Sequence, residues 1–201
     1  MNRNLDRLIS SIQFDRWIFG FPTLFTVVSH RDADHDPLRS IFNYPEPLIY
    51  SDNYTPKPVF GRRSLSFIYI QEGNSEIVRS VKVTPVLRRT LSRLLGIRVY
   101  RLHACWWFLA TKEFLILFIG ELDAPEIPIL SKLLDKVQGL DALLLPSYGG
   151  MNPPAHQVAY RDELKVEVAK LAKRERAKGR ALYGLPHPVI PEWAEMSAQR
   201  V

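Results

Sequence analysis

Apolar and polar positions follow distinct rhythms along this chain. Leu5, Leu8, Ile9 and Ile12 repeat at the spacing of a short amphipathic helix over residues 5–12. The β-branched and aromatic run at 24–28, Leu24-Phe25-Thr26-Val27-Val28, predicts a buried strand. It stops at a polar segment, Ser29 to Pro37, that cannot continue inside a sheet. Residues 43–58 contain Pro45, Pro47, Pro56 and Pro58 and read as a long loop with one short strand at 48–50. Two further strand-like runs, 65–71 and 77–83, flank Glu72-Gly73-Asn74-Ser75, which predicts a hairpin turn. Thr84 and Pro85 then offer an N-cap and a first-turn proline, and Gly96 a C-terminal stop, for a helix with an apolar face (Val86, Leu87, Leu91, Leu94) and a basic one (Arg88, Arg89, Arg93). Residues 99–102, 105–110 and 114–119 read as strands, the last two forming a hairpin around Thr111-Lys112-Glu113.

From residue 114 onward the pattern becomes strand, helix, strand, helix, strand. The helices are expected at 126–138, closed by Gly139, and at 157–178, closed by Gly179. The strands after them are expected at 142–145 and 181–185. This order predicts crossovers and parallel or mixed pairing in one sheet. Residues 1–23 show no strand pair, and no internal repeat or low-complexity tract occurs.

Length and composition narrow the class. A chain of 201 residues, 46% apolar and 24% charged, has globular composition and room for one well-buried core, so residues 1–201 read as a single α/β domain. The single cysteine, Cys105, excludes an internal disulfide framework and a Cys-rich zinc module. The most apolar window is split by Thr111-Lys112-Glu113 into runs far below the ~18–20 residues of a membrane span. With no signal-peptide pattern at the start either, a soluble cytoplasmic protein with no membrane partner is expected.

The charge is uneven. Overall there are 27 Lys+Arg and 21 Asp+Glu, a formal net of +6. Residues 79–101 hold seven basic residues and no acid, and residues 161–180 hold eight basic against four acidic. Residues 1–60 hold six basic and seven acidic. An acidic site with basic flanks suits an anionic substrate, a small molecule or a nucleic acid, although solvated charged faces give the same counts.

The segment with most chemistry is Ser29-His30-Arg31-Asp32-Ala33-Asp34-His35-Asp36. Alternation in an extended stretch puts His30, Asp32 and Asp34 on one side, just after a strand. Mixed imidazole and carboxylate donors suit zinc, iron or manganese. A polar loop whose acids cap a helix starting near Pro37 reads equally well from composition alone.

The strand ending in Thr26-Val27-Val28-Ser29-His30 and the residues after it resemble the metal motif of the metallo-β-lactamase superfamily, usually His-x-His-x-Asp-His. His30, Asp34 and His35 match that motif, and Asp32 stands at its second histidine. Phe114 to Gly120-Glu121 resembles the family's strand ending in Gly-Asp, whose carboxylate bridges two metals. Asp141 to Pro146 resembles the following strand, and His187 sits after the final strand, where the family places its last metal histidine. The resemblance covers about residues 24 to 190. It implies a metallo-β-lactamase-like αββα sandwich, incomplete in its N-terminal half because only 29 residues precede His30. A partner copy completing the sheet as a homo-oligomer would answer that shortage.

The resemblance further implies a metal-dependent hydrolase. Its metal ligands would be His30, Asp32, Asp34, His35, Glu121 and His187, with zinc the first choice and iron or manganese alternatives. Asp34 would serve as general base or second-site ligand, and His187 or His156 would stabilise developing negative charge. Asp32 and Glu121 depart from the family pattern, and 84–96 lacks its loop histidine, so one metal site is expected rather than two. The bond attacked would be an ester or phosphodiester, with basic flanks favouring a phosphorylated or nucleic-acid substrate. The same departures would also suit a catalytically degenerate binding or scaffold subunit.

Other positions read as follows. Gly149 and Gly150 could let the backbone approach a ligand, and His156 opens the following helix, whose N-terminus favours an anion; an ordinary strand-to-helix turn has the same composition. His103 and Cys105 read as packed strand residues, and Trp106 and Trp107 point to opposite faces of their strand. A His-x-Asp-x-Asp pattern also occurs in DHH phosphoesterases, but their Asp-His-His triplet is missing here, as is the Gly-x-Ser-x-Gly elbow of serine hydrolases.

Overall fold

The computed structural model describes residues 2–15, 24–29, 47–51, 67–71, 73–87, 105–120, 122, 124–146, 158–185 and 199–200. Asn2 starts the first helix, α1 (Arg3–Ser10), its side chain accepting from the backbone N–H groups of Asn4 and Leu5 at 3.1 and 3.4 Å. Among the described residues four short strands follow: β1 (Ile12–Phe14), β2 (Phe25–Val27), β3 (Leu48–Ser51) and β4 (Phe67–Ile70). They pair in parallel in the order β1-β2-β3-β4.

Among the described residues the second sheet has seven strands. β5 (Glu76–Val78), β6 (Val81–Leu87), β7 (Cys105–Ala110) and β8 (Leu115–Ile119) form an antiparallel meander. β9 (Ala142–Pro146) and β10 (Ala181–Leu185) then add in parallel, and β11 (Gln199–Arg200) closes the edge antiparallel to β10. The helices α2 (Ile127–Lys136) and α3 (Val158–Ala177) connect β8 to β9 and β9 to β10. The β–α–β–α–β order expected from residue 114 onward is therefore present, with parallel pairing.

Strand alternation sorts the apolar residues into two cores. Cys105, Trp107, Leu109, Ile116, Phe118, Ala142, Leu144 and Tyr183 face the first sheet, meeting Phe25, Val27, Ile49 and Ile70 together with Leu5 and Ile9 of α1. Trp106, Leu117, Ile119, Leu143, Leu145 and Leu182 face the other way, onto Ile129, Leu130 and Leu134 of α2 and Leu171 and Ala172 of α3. The protein is thus an α/β structure with two facing sheets and helices on one outer side, in keeping with a partial αββα sandwich. Trp106 and Trp107 do take opposite faces, and both are buried, each side chain of this kind contributing roughly 1.5–3 kcal/mol or more by leaving water.

Three expectations require correction. The runs at 65–71 and 77–83 are not paired across Gly73. β4 belongs to the first sheet and β5 to the second, so the chain changes sheets there, while the hairpin lies at Arg79-Ser80 between β5 and β6. Arg79 and Ser80 both have positive φ, 50° and 69°, the geometry of a type I′ turn formed without its usual Asn or Gly. Residues 84–87 are strand rather than helix, with Thr84, Pro85, Val86 and Leu87 opposite Phe108, Trp107, Trp106 and Cys105. Pro85 is tolerated because β5 ends opposite Val83, leaving that side of position 85 without a strand partner among the described residues. Finally, the helix expected to reach Ile12 ends at Ser10, and Ile12 instead starts β1, which pairs with β2.

The helical layer is tied by charge. Glu175 of α3 is fully buried and binds Arg174 at 2.7 Å, Lys178 at 3.1 Å and the Arg180 guanidinium. Arg180 also donates to the carbonyls of Leu134 and Val137, both at 2.9 Å, capping the C-terminal end of α2 where positive charge is favoured. Burial pushes the Glu175 carboxyl up, but bonds from Arg174 and Lys178 and the charge of Arg180 outweigh it and hold it below its ordinary value. Among the described residues no helix is long and apolar enough to cross a membrane.

Candidate metal centre

The segments singled out for chemistry follow the carboxyl ends of four strands. β2 leads through Val28 and Ser29 to His30, and β8 leads through Gly120 to Glu121. β9 precedes Gly149, Gly150 and His156, and β10 precedes His187. β8, β9 and β10 are parallel neighbours. Phe118 pairs with Leu144 and Pro146 with Leu185, so continuing the register sets Gly120, Pro146 and Leu185 level at one edge. Neighbouring strands lie about 4.8 Å apart, which puts the ends of β8 and β10 about 10 Å from each other. Ligands in open α/β sheets bind outside this carboxyl edge.

The end of β2, from the other sheet, meets the end of β8 directly. Asp15, just past β1, takes a left-handed backbone with φ 58°, a conformation that Asp tolerates better than most residues. Its N–H donates to the Val27 carbonyl at 2.8 Å. Its carboxylate accepts the Ser29 N–H at 2.5 Å on Oδ1 and the Ser29 hydroxyl at 2.7 Å on Oδ2. The Ser29 carbonyl accepts the Cys105 N–H at 2.8 Å, and the Trp107 indole donates to the Val28 carbonyl at 3.1 Å. Ser29 is therefore held by β1 on one side and β7 on the other.

Gly120 completes this junction. A Cβ there would collide with the Ser29 Oγ and Cβ and with the Asp15 Oδ2. Its φ is not in the left-handed region, so close approach rather than backbone freedom is what requires glycine. Asp15 and Ser29 are 5% and 2% exposed, so the bonds between them are made away from water, where a lost partner is costly.

All nine expected site residues, His30, Asp32, Asp34, His35, Glu121, Gly149, Gly150, His156 and His187, lie outside the described residues, as does His103. Among the described residues no three His, Cys, Asp or Glu side chains gather in a way that could hold an ion. Ser29 and Gly120, the residues immediately before His30 and Glu121, are in contact across 91 positions of sequence. Asp15 was not anticipated from the sequence. Its only local signal is its place after Ile12-Gln13-Phe14, and that strand is too short to stand out without its partner. Cys105 is buried, as its apolar run suggested.

A separate cleft of about 540 Å³ opens at the opposite, amino-terminal ends of β8, β9 and β10. It is lined by Asn2, Leu5, Phe114, Asp141, Arg176 and Lys178 among others. Asp141 there accepts the Leu115 N–H at 2.8 Å, and Lys178 is engaged with Asp135 and Glu175. Its distance from the strand ends that precede the motifs separates it from the candidate centre.

No protein-family description matches the chain, and no curated protein matches it by sequence. Several solved structures are similar in shape. One is the CmlA β-hydroxylase E377D mutant, at 11% identity and a TM-score of 0.42, covering 68% of this chain; the chain spans only 28% of that protein's length. A second is a protein of Parabacteroides distasonis named as a metal-dependent hydrolase, at 15% identity and a TM-score of 0.44, covering 81% of this chain and 76% of the other. A third is a protein of Thermotoga maritima named as a zinc-dependent hydrolase of the metallo-β-lactamase superfamily. It is 9% identical, with a TM-score of 0.33, over 91% of this chain and 69% of the other.

Proposed function

We propose that this protein is a cytoplasmic metal-dependent hydrolase of the metallo-β-lactamase type. The observation that supports the reading most is topological: every motif-bearing segment follows a strand's carboxyl end, and the β2 and β8 ends preceding His30 and Glu121 touch. His30, Asp32, Asp34 and His35, with Glu121 and His187, would hold one divalent ion, zinc by preference and iron or manganese otherwise. Such an ion supplies Lewis acidity and lowers the pKa of water at its site. In this reading Asp34 accepts a proton, and His187 or His156 stabilises negative charge developing on the substrate. Gly149 and Gly150 admit the substrate close to the backbone. The bond cleaved is an ester or phosphodiester, and the basic segments at 79–101 and 161–180 favour a phosphorylated small molecule or nucleic acid.

Elemental analysis of the purified protein tests this reading. Near-stoichiometric metal in the wild type, lost in both His30→Ala and His35→Ala, is the expected result. A metal-free wild type whose stability neither substitution changes would overturn it and favour a binding or scaffold subunit on the same fold.

A further inference from the structure

The basic residues on the carboxyl half of α3 sit away from the candidate centre. α2 and α3 lie side by side and point the same way, since Arg174 donates to Ser131 and, one turn further along both helices, Lys178 donates to Asp135. α3 meets the amino end of β10 through Lys178, Gly179 and Arg180, so the carboxyl halves of both helices stand at the end of the sheet opposite that centre. β10, Ala181–Leu185, alone spans about 13 Å, beyond the ~8 Å over which physiological salt lets exposed charges act. These charges therefore act on something that reaches the helical layer itself.

Residues 127–140 and 167–180 together hold eight basic residues and three acids, a net of +5. All three acids are already engaged: Glu167 by Lys170 at 2.6 Å, Asp135 by Lys178 at 2.7 Å, and buried Glu175 by Arg174, Lys178 and Arg180. Lys132, Lys136, Lys173 and Arg176 are left over, exposed and with no ion pair or hydrogen bond among the described residues. Each helix carries two of them, one turn apart, and packed helices lie about 8–10 Å from each other. Complementing the helix dipoles needs charge only in the last turn, and Arg180 already takes the Leu134 and Val137 carbonyls. Lys132 and Lys173 come before the last turns, so capping does not account for them.

We propose that the carboxyl halves of α2 and α3 form a docking surface for the phosphate backbone of a nucleic-acid duplex, separate from the candidate metal centre. The inference goes beyond the hydrolase reading and does not depend on it. The composition of the surface selects the partner. A protein partner or a membrane would need apolar or aromatic anchors. Neither 127–140 nor 162–180 contains an aromatic residue, and Val166 is the one large apolar side chain exposed there among the described residues. Without aromatics there is also nothing on which unpaired bases could stack, which favours a duplex over a single strand. Unpaired Lys and Arg on a regular helical surface match a duplex backbone, with one negative charge per ~1.7 Å of its axis, and bind it without reading sequence.

The experiment is a fluorescence-anisotropy titration of the full chain against a short DNA duplex of mixed sequence and the matching RNA duplex, over a range of salt. Four neutralised phosphates give DNA binding a slope of about −3.6 in log affinity against log salt, about a 150-fold loss between 50 and 200 mM. Lys132→Gln with Lys136→Gln, and Lys173→Gln with Arg176→Gln, should each flatten that slope by about 1.8. Their unfolding midpoints should match the wild type, which keeps a loss of binding distinct from a loss of fold. Arg79→Asn with Lys82→Gln removes the same charge at β5 and β6, the other edge of the sheet, and should leave the slope unchanged. Binding of either duplex with this pattern supports the proposal, and the tighter of the two is the partner. An equal loss in the β5–β6 variant would overturn it, assigning the attraction to net charge. A wild type that binds neither duplex at 50 mM salt, or that binds only phosphatidylserine vesicles in a parallel assay, would overturn it as well. None of these outcomes bears on metal content, so the hydrolase reading is tested separately.

Discussion

Replacing Gly120 by alanine tests the junction without touching a charged group. The new Cβ would overlap the Ser29 Oγ and Cβ and the Asp15 Oδ2. None of these can swing away freely, because Ser29 is bonded through its N–H, hydroxyl and carbonyl. Overpacking a tight site costs roughly 1–3 kcal/mol. Displacing Ser29 far enough to weaken its bonds to Asp15 adds about 1 kcal/mol or more for each. Against this, alanine lowers the entropy of the unfolded chain, stabilising by about 0.4–1 kcal/mol, and the Gly120 backbone conformation poses no obstacle. The net expectation is a loss of about 2–4 kcal/mol. Urea unfolding followed by tryptophan emission suits the measurement, since Trp106 and Trp107 pass from the core to water. With an m-value of about 2 kcal/mol/M the midpoint should fall by about 1–2 M. Ser29→Gly removes two of the three colliding atoms, so it should recover part of the loss, a coupling seen as non-additivity in the double mutant. A Gly120→Ala midpoint within experimental error of the wild type would refute the close approach and, with it, the contact between the ends of β2 and β8.

Two further predictions concern parts away from the junction. Glu175→Gln should cost about 3 kcal/mol, the low end for a broken buried ion pair, because Arg174 and Lys178 can still reach water while Arg180, at 10% side-chain exposure, cannot. The folded Glu175 carboxyl lies below its ordinary 4.5, so the unfolded chain binds the proton more readily; its contribution is present above about pH 4.5 and is lost as pH falls through the lower folded value. The stability gap between wild type and Glu175→Gln should therefore close on acidification, and a gap constant from pH 7 to pH 3 would contradict the network. Arg79→Asn with Ser80→Gly should raise stability by about 1 kcal/mol, since both positions have positive φ and the substituted pair suits a type I′ turn; an unchanged unfolding midpoint would speak against that turn.

Local pattern carried a large part of the architecture. From β7 to β10 the strands and helices were legible because each is buried on defined faces, which leaves a continuous apolar run or a helical repeat in the sequence. Gly179, with φ of 83°, marks the end of α3 for a reason of backbone sterics that needs no tertiary contact. The opposite faces of Trp106 and Trp107 follow from strand geometry in the same way. Likewise His30, Asp34 and His35 stood out because their donors lie within six residues of one another.

Tertiary structure decided the rest, and in each case a partner distant in sequence made the difference. Thr84-Pro85 has the local chemistry of a helix start, yet 22 to 24 residues away Trp107 and Phe108 offer pairing and burial that outweigh it. Gly73 looked like a hairpin turn because turn chemistry says that the chain bends, not which strand it then joins. β1 is three residues long and becomes recognisable as a strand only beside β2. Asp15, Ser29 and Gly120 are an ordinary acid, serine and glycine when read in line. Their meaning lies in a contact between residues 14 and 91 positions apart, which the packing of two sheets brings together and no periodicity records.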